Sequence, residues 1–314
     1  MLHMNHSKPP AKSATTGKAP AAGSLSGTLL GDFVIEKKIG AGAMGDVYLG
    51  KHSQTGAVAA IKLITECNAA DEGFIARFKR EIDVLMSLDH QHIARAIAYE
   101  VDKSPMFLAM EYVAGPNLAE VLRERSALFE ADVLTIGMQI ARGLAHAYNE
   151  TGLIHRDIKP MNILIEQQRK GKREGSFMEQ QDRVKIIDFG LAKSTDAEDQ
   201  RLTLTGIVMG TPAYMSPEQI RCESTMDFHT DMYAVGATMY HLLTGRLPFP
   251  GDAPAVIMTG HLTLPVPDPG DLVRSLNPLT RTIVMTAMAK QPNQRYADYR
   301  AMINACEKAL KTLE

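Results

Sequence analysis

Hydrophobic and polar positions alternate in short bursts through the first third of the chain and recur at helical spacing through the rest. The runs FVIEKKI (33–39), DVYLGKH (46–52) and VAAIKLI (58–64) read as three strands, with turns at Gly40–Gly45 and Ser53–Gly56. Ile75, Phe78, Ile82, Leu85 and Met86 then recur on one helical face, predicting a helix over 74–88. Two more strands are expected near 92–100 and 106–113. From 117 onward the period is helical over 118–125, 131–150, 231–245, 254–261, 278–289 and 296–313, with proline-rich breaks at 248–254 and 265–269. The short apolar runs 162–167 and 183–189 are expected to pair as a β-hairpin. The polar stretch 166–183 between them, with five basic and four acidic residues, is expected to be a solvated loop. The pattern predicts an α+β chain. A small, mainly antiparallel β lobe with one major helix (31–113) precedes a larger, mainly helical lobe (114–314). Such a boundary is a favoured place for a ligand cleft.

Residues 1–30 break the pattern. They are rich in Pro, Ala, Ser, Thr, Gly and Lys and carry no acidic or aromatic residue, so they bury too little apolar surface to offset the entropy of ordering. A disordered tail is expected there. The remaining composition is that of a globular protein: 45% hydrophobic and 22% charged over 314 residues. A net charge of −2 argues against a broad basic surface, and no nucleic-acid partner is expected. Cys67, Cys222 and Cys306 are far apart and form no CxxC pair, the usage of reduced thiols rather than of a disulfide framework or zinc site. No stretch reaches the roughly 18 apolar residues of a membrane helix. The N-terminus lacks the apolar core of a signal peptide and the position-2 glycine of a myristoylation signal. A soluble, cytoplasmic chain with no membrane span is expected.

Four motifs carry chemistry. Gly40-Ala41-Gly42-Ala43-Met44-Gly45-Asp46-Val47 reads G-x-G-x-x-G-x-V, and glycines let backbone amides approach a polyphosphate closely. Dinucleotide folds use the same glycines between a strand and a helix. Here the chain continues into a second strand, so the glycines cap a hairpin and form a lid over phosphates. Lys62 ends an apolar strand segment, and Glu81 on the following helix can supply the opposite charge that a lysine in a cleft needs. His155-Arg156-Asp157-Ile158-Lys159-Pro160-Met161-Asn162 and Asp188-Phe189-Gly190 complete the set. A carboxylate to accept a hydroxyl proton, with Asn and Asp oxygens for Mg²⁺, is what phosphoryl transfer requires.

All four motifs in this order resemble the protein kinase superfamily. The phrases IGAGAMGDVYLG, RFKREI, LIHRDIKPMNIL, KIIDFGLAK, GTPAYMSPEQI and TDMYAVGATMYHLLTGRLPF are more narrowly similar to the eukaryotic-like (Hanks-type) Ser/Thr kinases of bacteria. The resemblance covers about 31–310 and implies the bilobal protein kinase-like fold, with ATP and Mg²⁺ as cofactors. It implies that Ile39 to Val47 cover the ATP phosphates, that Lys62 binds the α- and β-phosphates and pairs with Glu81, and that Asp157 accepts the substrate proton. Lys159 is implied to stabilise γ-phosphate charge, and Asn162 and Asp188 to hold Mg²⁺. Met110, Glu111, Tyr112 and Val113 resemble the gatekeeper and hinge. Val47, Ala60 and Leu164 are implied to sandwich the adenine, and Asn117 to reach the ribose. Asp231 is implied to brace the catalytic loop, and Glu218 to pair with Arg295.

Lys159 two residues after Asp157, and Thr211 in GTPAY, are as in Ser/Thr kinases, so protein Ser/Thr hydroxyls are the expected acceptors. A phosphothreonine at Thr203 or Thr205 can pair with Arg156, and autophosphorylation is expected there. Tyr233 stands where many kinases have Trp. The competing reading is a catalytically silent pseudokinase scaffold, which usually lacks one of the residues present here at 62, 157, 162 and 188. The GTPAYMSPE segment argues against a small-molecule kinase, and the missing parallel βαβ unit against a dinucleotide oxidoreductase. Relatives include back-to-back dimers through the small lobe, so a transient homodimer is admitted by the resemblance.

Overall fold

The computed structural model describes residues 25–42, 45–64, 72–167, 175–179, 181–189 and 212–313. The expectations at Cys67, Ala43, Met44, Gly190, Thr203, Thr205, Thr211 and most of the tail lie outside them.

Strands β1 (Leu29–Leu30), β2 (Phe33–Gly42), β3 (Gly45–His52), β4 (Val58–Leu63), β5 (Ala96–Glu100) and β6 (Phe107–Glu111) form an antiparallel sheet in the order β1-β2-β3-β4-β6-β5. The one helix of this lobe, α1 (Glu72–Met86), packs on β5. Strand periodicity divides the small lobe's apolar residues between two cores. Along β6, Phe107 and Ala109 join Leu30, Phe33, Ile35, Ala59 and Ile61 on one face. Leu108 and Met110 join Phe78, Ile82 and the main core on the other. Burial on both faces explains why FLAM reads as a continuous apolar run. The boundary of the tail is corrected by β1. Leu29 and Leu30 pair with Val34 and Phe33, and Leu30 is buried, so two adjacent leucines suffice to extend the sheet.

The larger lobe is built on α3 (Glu130–Thr151) and α5 (His229–Thr244), with α2 (Leu118–Arg125), α4 (Pro217–Ile220), α6 (Pro254–Thr263), α7 (Pro278–Ala287) and α8 (Tyr299–Leu310) around them. Sequence signals set the ends. Asn117 and Glu120 form a capping box on α2, and Ser216 and Gln219 form one on α4. Asn277 followed by proline opens α7, Asp298 opens α8, and Gly152 and Gly245 close α3 and α5 in the left-handed conformation. α5 is buried almost all round, as an apolar helix at the centre of a lobe must be. Tyr233 in it is fully buried, and its hydroxyl meets His261 Nδ1 at 2.8 Å, the polar partner that a buried Tyr requires. β7 (Ile163–Glu166) and β8 (Arg183–Ile186) pair antiparallel, the expected hairpin.

The connection between them is not the wholly solvated loop expected from its charge. Phe177 and Met178 are buried in the main core, because Asp132 on α3 accepts their backbone N–H groups at 2.7 and 3.0 Å.

Two buried histidines make stability depend on pH. His92, with Nδ1 3.1 Å from Val184 O, and His261 are each pushed down to about 4 by burial. Burial is the main cause, and His90, Arg142 and Lys185 beside His92 and Lys290 beside His261 act in the same direction. Both are neutral in the fold near pH 6, while an unfolded chain takes up protons below its ordinary histidine value of 6.5. Stability therefore falls as pH drops from 6.5 toward 4, by up to about 3 kcal/mol per histidine. Calorimetric scans should show Tm level above pH 7 and declining below 6.5. His92→Gln and His261→Gln should each flatten that slope, and an unchanged slope would contradict the assignment.

Candidate active site

The glycine motif lies where the expected hairpin places it. Gly40 faces Val47, Ala41 faces Asp46 and Gly42 faces Gly45 across β2 and β3. Gly45 has φ +144°, and a Cβ there would lie 1.9 Å from Leu63 O, so only glycine fits. Asp46 pairs with Lys38 at 2.7 Å, and Ile39 is largely exposed at the edge of the turn.

The sheet register brings the next residues together. Val47 pairs with Lys62 across β3–β4, and Ala60 with Met110 and Lys62 with Leu108 across β4–β6. Lys62 is 4% exposed, and its ammonium lies 2.8 Å from Asp188 Oδ1. This corrects the expected Lys62–Glu81 pair. A buried ammonium takes the nearest anion, and Asp188, in a left-handed conformation with φ 58°, brings its carboxylate to it. Glu81 instead lines a small cavity with Leu85, Leu153, Arg156 and Phe189, between α1 and the catalytic loop.

The loop 155–162, expected to be catalytic, is held from below. Asp231, 1% exposed at the start of α5, accepts the backbone N–H groups of His155 and Arg156, each at 2.7 Å. Gln219 Nε2 donates to Arg156 O at 2.8 Å. Arg156 has φ 63°, a conformation costly for a non-glycine residue, and these bonds hold it there. His155 is buried, with Nε2 3.0 Å from Ile187 O and its ring 4.6 Å from that of Phe189. The loop is thus locked to the segment bearing Asp188.

Within the loop, Lys159 Nζ lies 2.9 Å from Asp157 Oδ2. Asn162 Nδ2 donates to Asp157 Oδ2 at 3.0 Å and to Asp157 O at 2.8 Å. The carboxylate is oriented by two donors while its side chain stays about one-fifth exposed. Ile187 N donates to Asn162 O at 3.0 Å and ties the two expected metal ligands together. With Asn162 Nδ2 committed to Asp157, its amide oxygen and the Asp188 carboxylate are the two hard oxygen donors. No cluster of three His, Cys, Asp or Glu side chains able to hold a metal occurs among the described residues. Two oxygen ligands suit Mg²⁺, which keeps waters and substrate phosphates in its shell.

At the hinge, Met110 and Val113 are buried and Leu164 bridges Asn117. Gly115 has a physical requirement: a Cβ there would lie 1.9 Å from Ile165 O, and next to it Ile165 N donates to Pro116 O at 2.9 Å. Asn117, expected to reach the ribose, has a structural use of its own. Its Oδ1 accepts Glu120 N at 2.9 Å as the cap of α2, a use that the N-x-x-E spacing signals. Lys185 was missed. It is 7% exposed, lies 2.8 Å from Glu111 Oε1, and joins the hinge to β8. A lysine inside the apolar run VKII was the signal, since a buried ammonium needs an anion. The expected Glu218–Arg295 pair is present, at 2.6 and 2.9 Å, with Thr230 Oγ1 donating to Glu218 at 3.0 Å.

Comparison with known proteins agrees with this geometry. Residues 33–307 match the protein kinase domain family. Serine/threonine-protein kinase pkn3 of Myxococcus xanthus is 35% identical over 295 residues, covering 91% of this chain and 52% of its own. Serine/threonine-protein kinase PknF of Mycobacterium tuberculosis is 35% identical over 272 residues, covering 86% of this chain and 54% of its own. The chain thus spans about half the length of these curated relatives. Among solved structures, the kinase domain of Mycobacterium tuberculosis PknI superposes with a TM-score of 0.68 at 25% identity, over 91% of this chain and all of that one. Rad53 residues 1–466 in complex with AMP-PNP superposes with a TM-score of 0.69 at 28% identity, over 87% of this chain and 64% of that one. With the glycine hairpin, the buried lysine, the braced catalytic loop and the bilobal fold all in place, the chain belongs to the protein kinase domain family.

Proposed function

We propose that this chain is an ATP- and Mg²⁺-dependent protein serine/threonine kinase that transfers the γ-phosphate to protein Ser/Thr hydroxyls. The observation that carries this reading is the Asp157 carboxylate, held by Lys159 and Asn162 on a loop braced by Asp231. Membership in the kinase family implies ATP, and the named relatives are serine/threonine-protein kinases. ATP with Mg²⁺ supplies an activated phosphoryl group and neutralises its charge. The chain's own residues do the rest. The backbone of 40–47 covers the phosphates. Val47, Ala60, Leu164 and the 110–113 hinge enclose the adenine. Lys62 binds phosphate oxygens, and Asn162 and Asp188 present oxygens to the metal. Asp157 orients the acceptor hydroxyl and takes its proton, while the Lys159 ammonium beside it offsets charge gathered on the transferring group. Autophosphorylation at Thr203 or Thr205, answered by Arg156, belongs to the same proposal. No helix among the described residues is long and apolar enough to cross a membrane.

Incubating the purified chain with Mg²⁺ and γ-labelled ATP, and mapping sites by mass spectrometry, tests the reading. Label on serine or threonine of the chain or of casein is expected. No transfer to either, despite a thermal shift with Mg-ATP, would overturn it in favour of a scaffold.

A further inference from the structure

Residues 176–178 of the 166–183 connection are bonded to α3 through one carboxylate, and Gln139 of the same helix donates to Asp182 O at 3.4 Å further along. Asp132, 2% exposed, accepts from three successive residues: Ser176 Oγ at 2.5 Å, Phe177 N at 2.7 Å and Met178 N at 3.0 Å. Phe177 and Met178 insert into the core, and Arg125 donates to Gly175 O at 2.8 Å with its guanidinium 5.3 Å from the Phe177 ring centre. Ser176 itself is exposed. Its hydroxyl, 2.5 Å from Asp132 Oδ1 and 3.0 Å from Met178 O, is thus the outermost link of a buried polar knot. The sequence leading to it is Arg169-Lys170-Gly171-Lys172-Arg173-Glu174-Gly175, with an arginine three residues before the serine.

We propose that Ser176 is a phosphoacceptor for an arginine-directed Ser/Thr kinase, and that its phosphorylation releases residues 175–179 from α3. In the transfer, Ser176 Oγ attacks the γ-phosphorus of ATP. The Oγ–P bond forms and the bond from that phosphorus to the β,γ-bridging oxygen breaks. ADP leaves with the electron pair on that oxygen, and the hydroxyl proton passes to the modifying kinase's base. The ester oxygen has no hydrogen to give to Asp132. A group of nearly two negative charges then stands at hydrogen-bond distance from a buried carboxylate. Two features oppose release: the positive end of α3 and the Arg125 guanidinium. The helix end already faces two acids of its own first turn, Glu130 and Asp132, and Arg125 stands on the outer side of the strap, whereas the 2% exposed Asp132 carboxylate has no water to screen it, so like-charge repulsion prevails. β8 stays anchored, because Val184 N donates to Gln139 Oε1 at 2.7 Å independently of the segment. The released unit is therefore the 175–179 strap and not the hairpin. The proposal does not rest on this chain's own catalysis, since the phosphate can come from another kinase.

The full chain carrying Asp157→Asn, so that it adds no label itself, is incubated with Mg-ATP and the catalytic subunit of cAMP-dependent protein kinase as the arginine-directed probe. Sites are mapped by mass spectrometry, and amide hydrogen exchange is followed at Phe177 and Met178. Phosphate on Ser176, absent after Ser176→Ala, with at least tenfold faster exchange of the two amides, is the expected result. Asp132→Asn keeps the side-chain shape and removes the charge, and should reduce the phosphate-dependent change in exchange. A modified Ser176 with unchanged exchange would overturn the release. Failure to modify the intact chain, whether or not a peptide of residues 168–181 is modified, would overturn the acceptor assignment.

Discussion

Asp157→Asn is expected to lower kcat for phosphoryl transfer by about 10²–10⁴-fold, the range supplied by a positioned general base. The KM for ATP should change less than about threefold, about 0.65 kcal/mol of binding. Asp157 is held at 2.9 Å by the Lys159 ammonium and at 3.0 Å by Asn162 Nδ2, so the substitution keeps the shape and exchanges one oxygen acceptor for a donor. The amide cannot take a proton, while its oxygen can keep the Oδ2 position that both Lys159 and Asn162 contact, so the base is lost and the loop is held as before. The residues proposed to face the nucleotide are untouched, because Lys62 and Asp188 pair with each other and not with Asp157. Steady-state kinetics with a peptide acceptor, beside an ATP thermal-shift titration, separate the two effects. A loss in kcat under tenfold would remove Asp157 from the base role.

The second large effect concerns stability. Glu218 and Arg295 form a pair whose side chains are 4% and 0% exposed. Arg295 also donates to His229 O at 2.7 Å and lies 4.9 Å from the Tyr233 ring centre. Removing one partner from such a pair leaves an uncompensated buried charge, at about 3–5 kcal/mol. Arg295→Met is therefore expected to lower Tm by roughly 10 °C, at about 2–4 °C per kcal/mol for a domain of this size. Glu218→Gln together with Arg295→Met should recover part of that loss, because no lone charge stays buried. Burial alone would raise the Glu218 pKa, but the two hydrogen bonds and the charge of Arg295 hold it below its ordinary value of 4.5. Its stabilising contribution is thus present above that value and fades as pH falls through the lower folded one. Differential scanning calorimetry of the single and double variants decides it. A single variant within about 1 kcal/mol of the parent would show that the pair is dispensable.

Much of the site was legible because its chemistry is local. The glycines of 40–45, the loop 155–162 and Asp188-Phe189 are contiguous stretches, and each sits on the element its period predicted: a β-hairpin, a loop after α3, and the end of β8. Buried pairs between distant segments were less legible. Lys185 meets Glu111 across 74 residues, and Asp132 meets Ser176 across 44. As letters, Lys185 is a charge on a strand and Asp132 an ordinary acid in the first turn of a helix. Their burial, which makes each pairing obligatory, arises only when distant segments pack together.

By itself the sequence determined the α+β order of the two lobes, the glycines on a hairpin, and the 155–162 loop with its Asp, Lys and Asn. Period and spacing act over a few residues and need no distant partner. Only the tertiary structure decided that Lys62 holds Asp188 and not Glu81, that Lys185 holds Glu111, and that Phe177 and Met178 are docked rather than solvated. In each case several partners were chemically able to pair. The low dielectric of the assembled interior and the direction of the backbone at that point left one within reach.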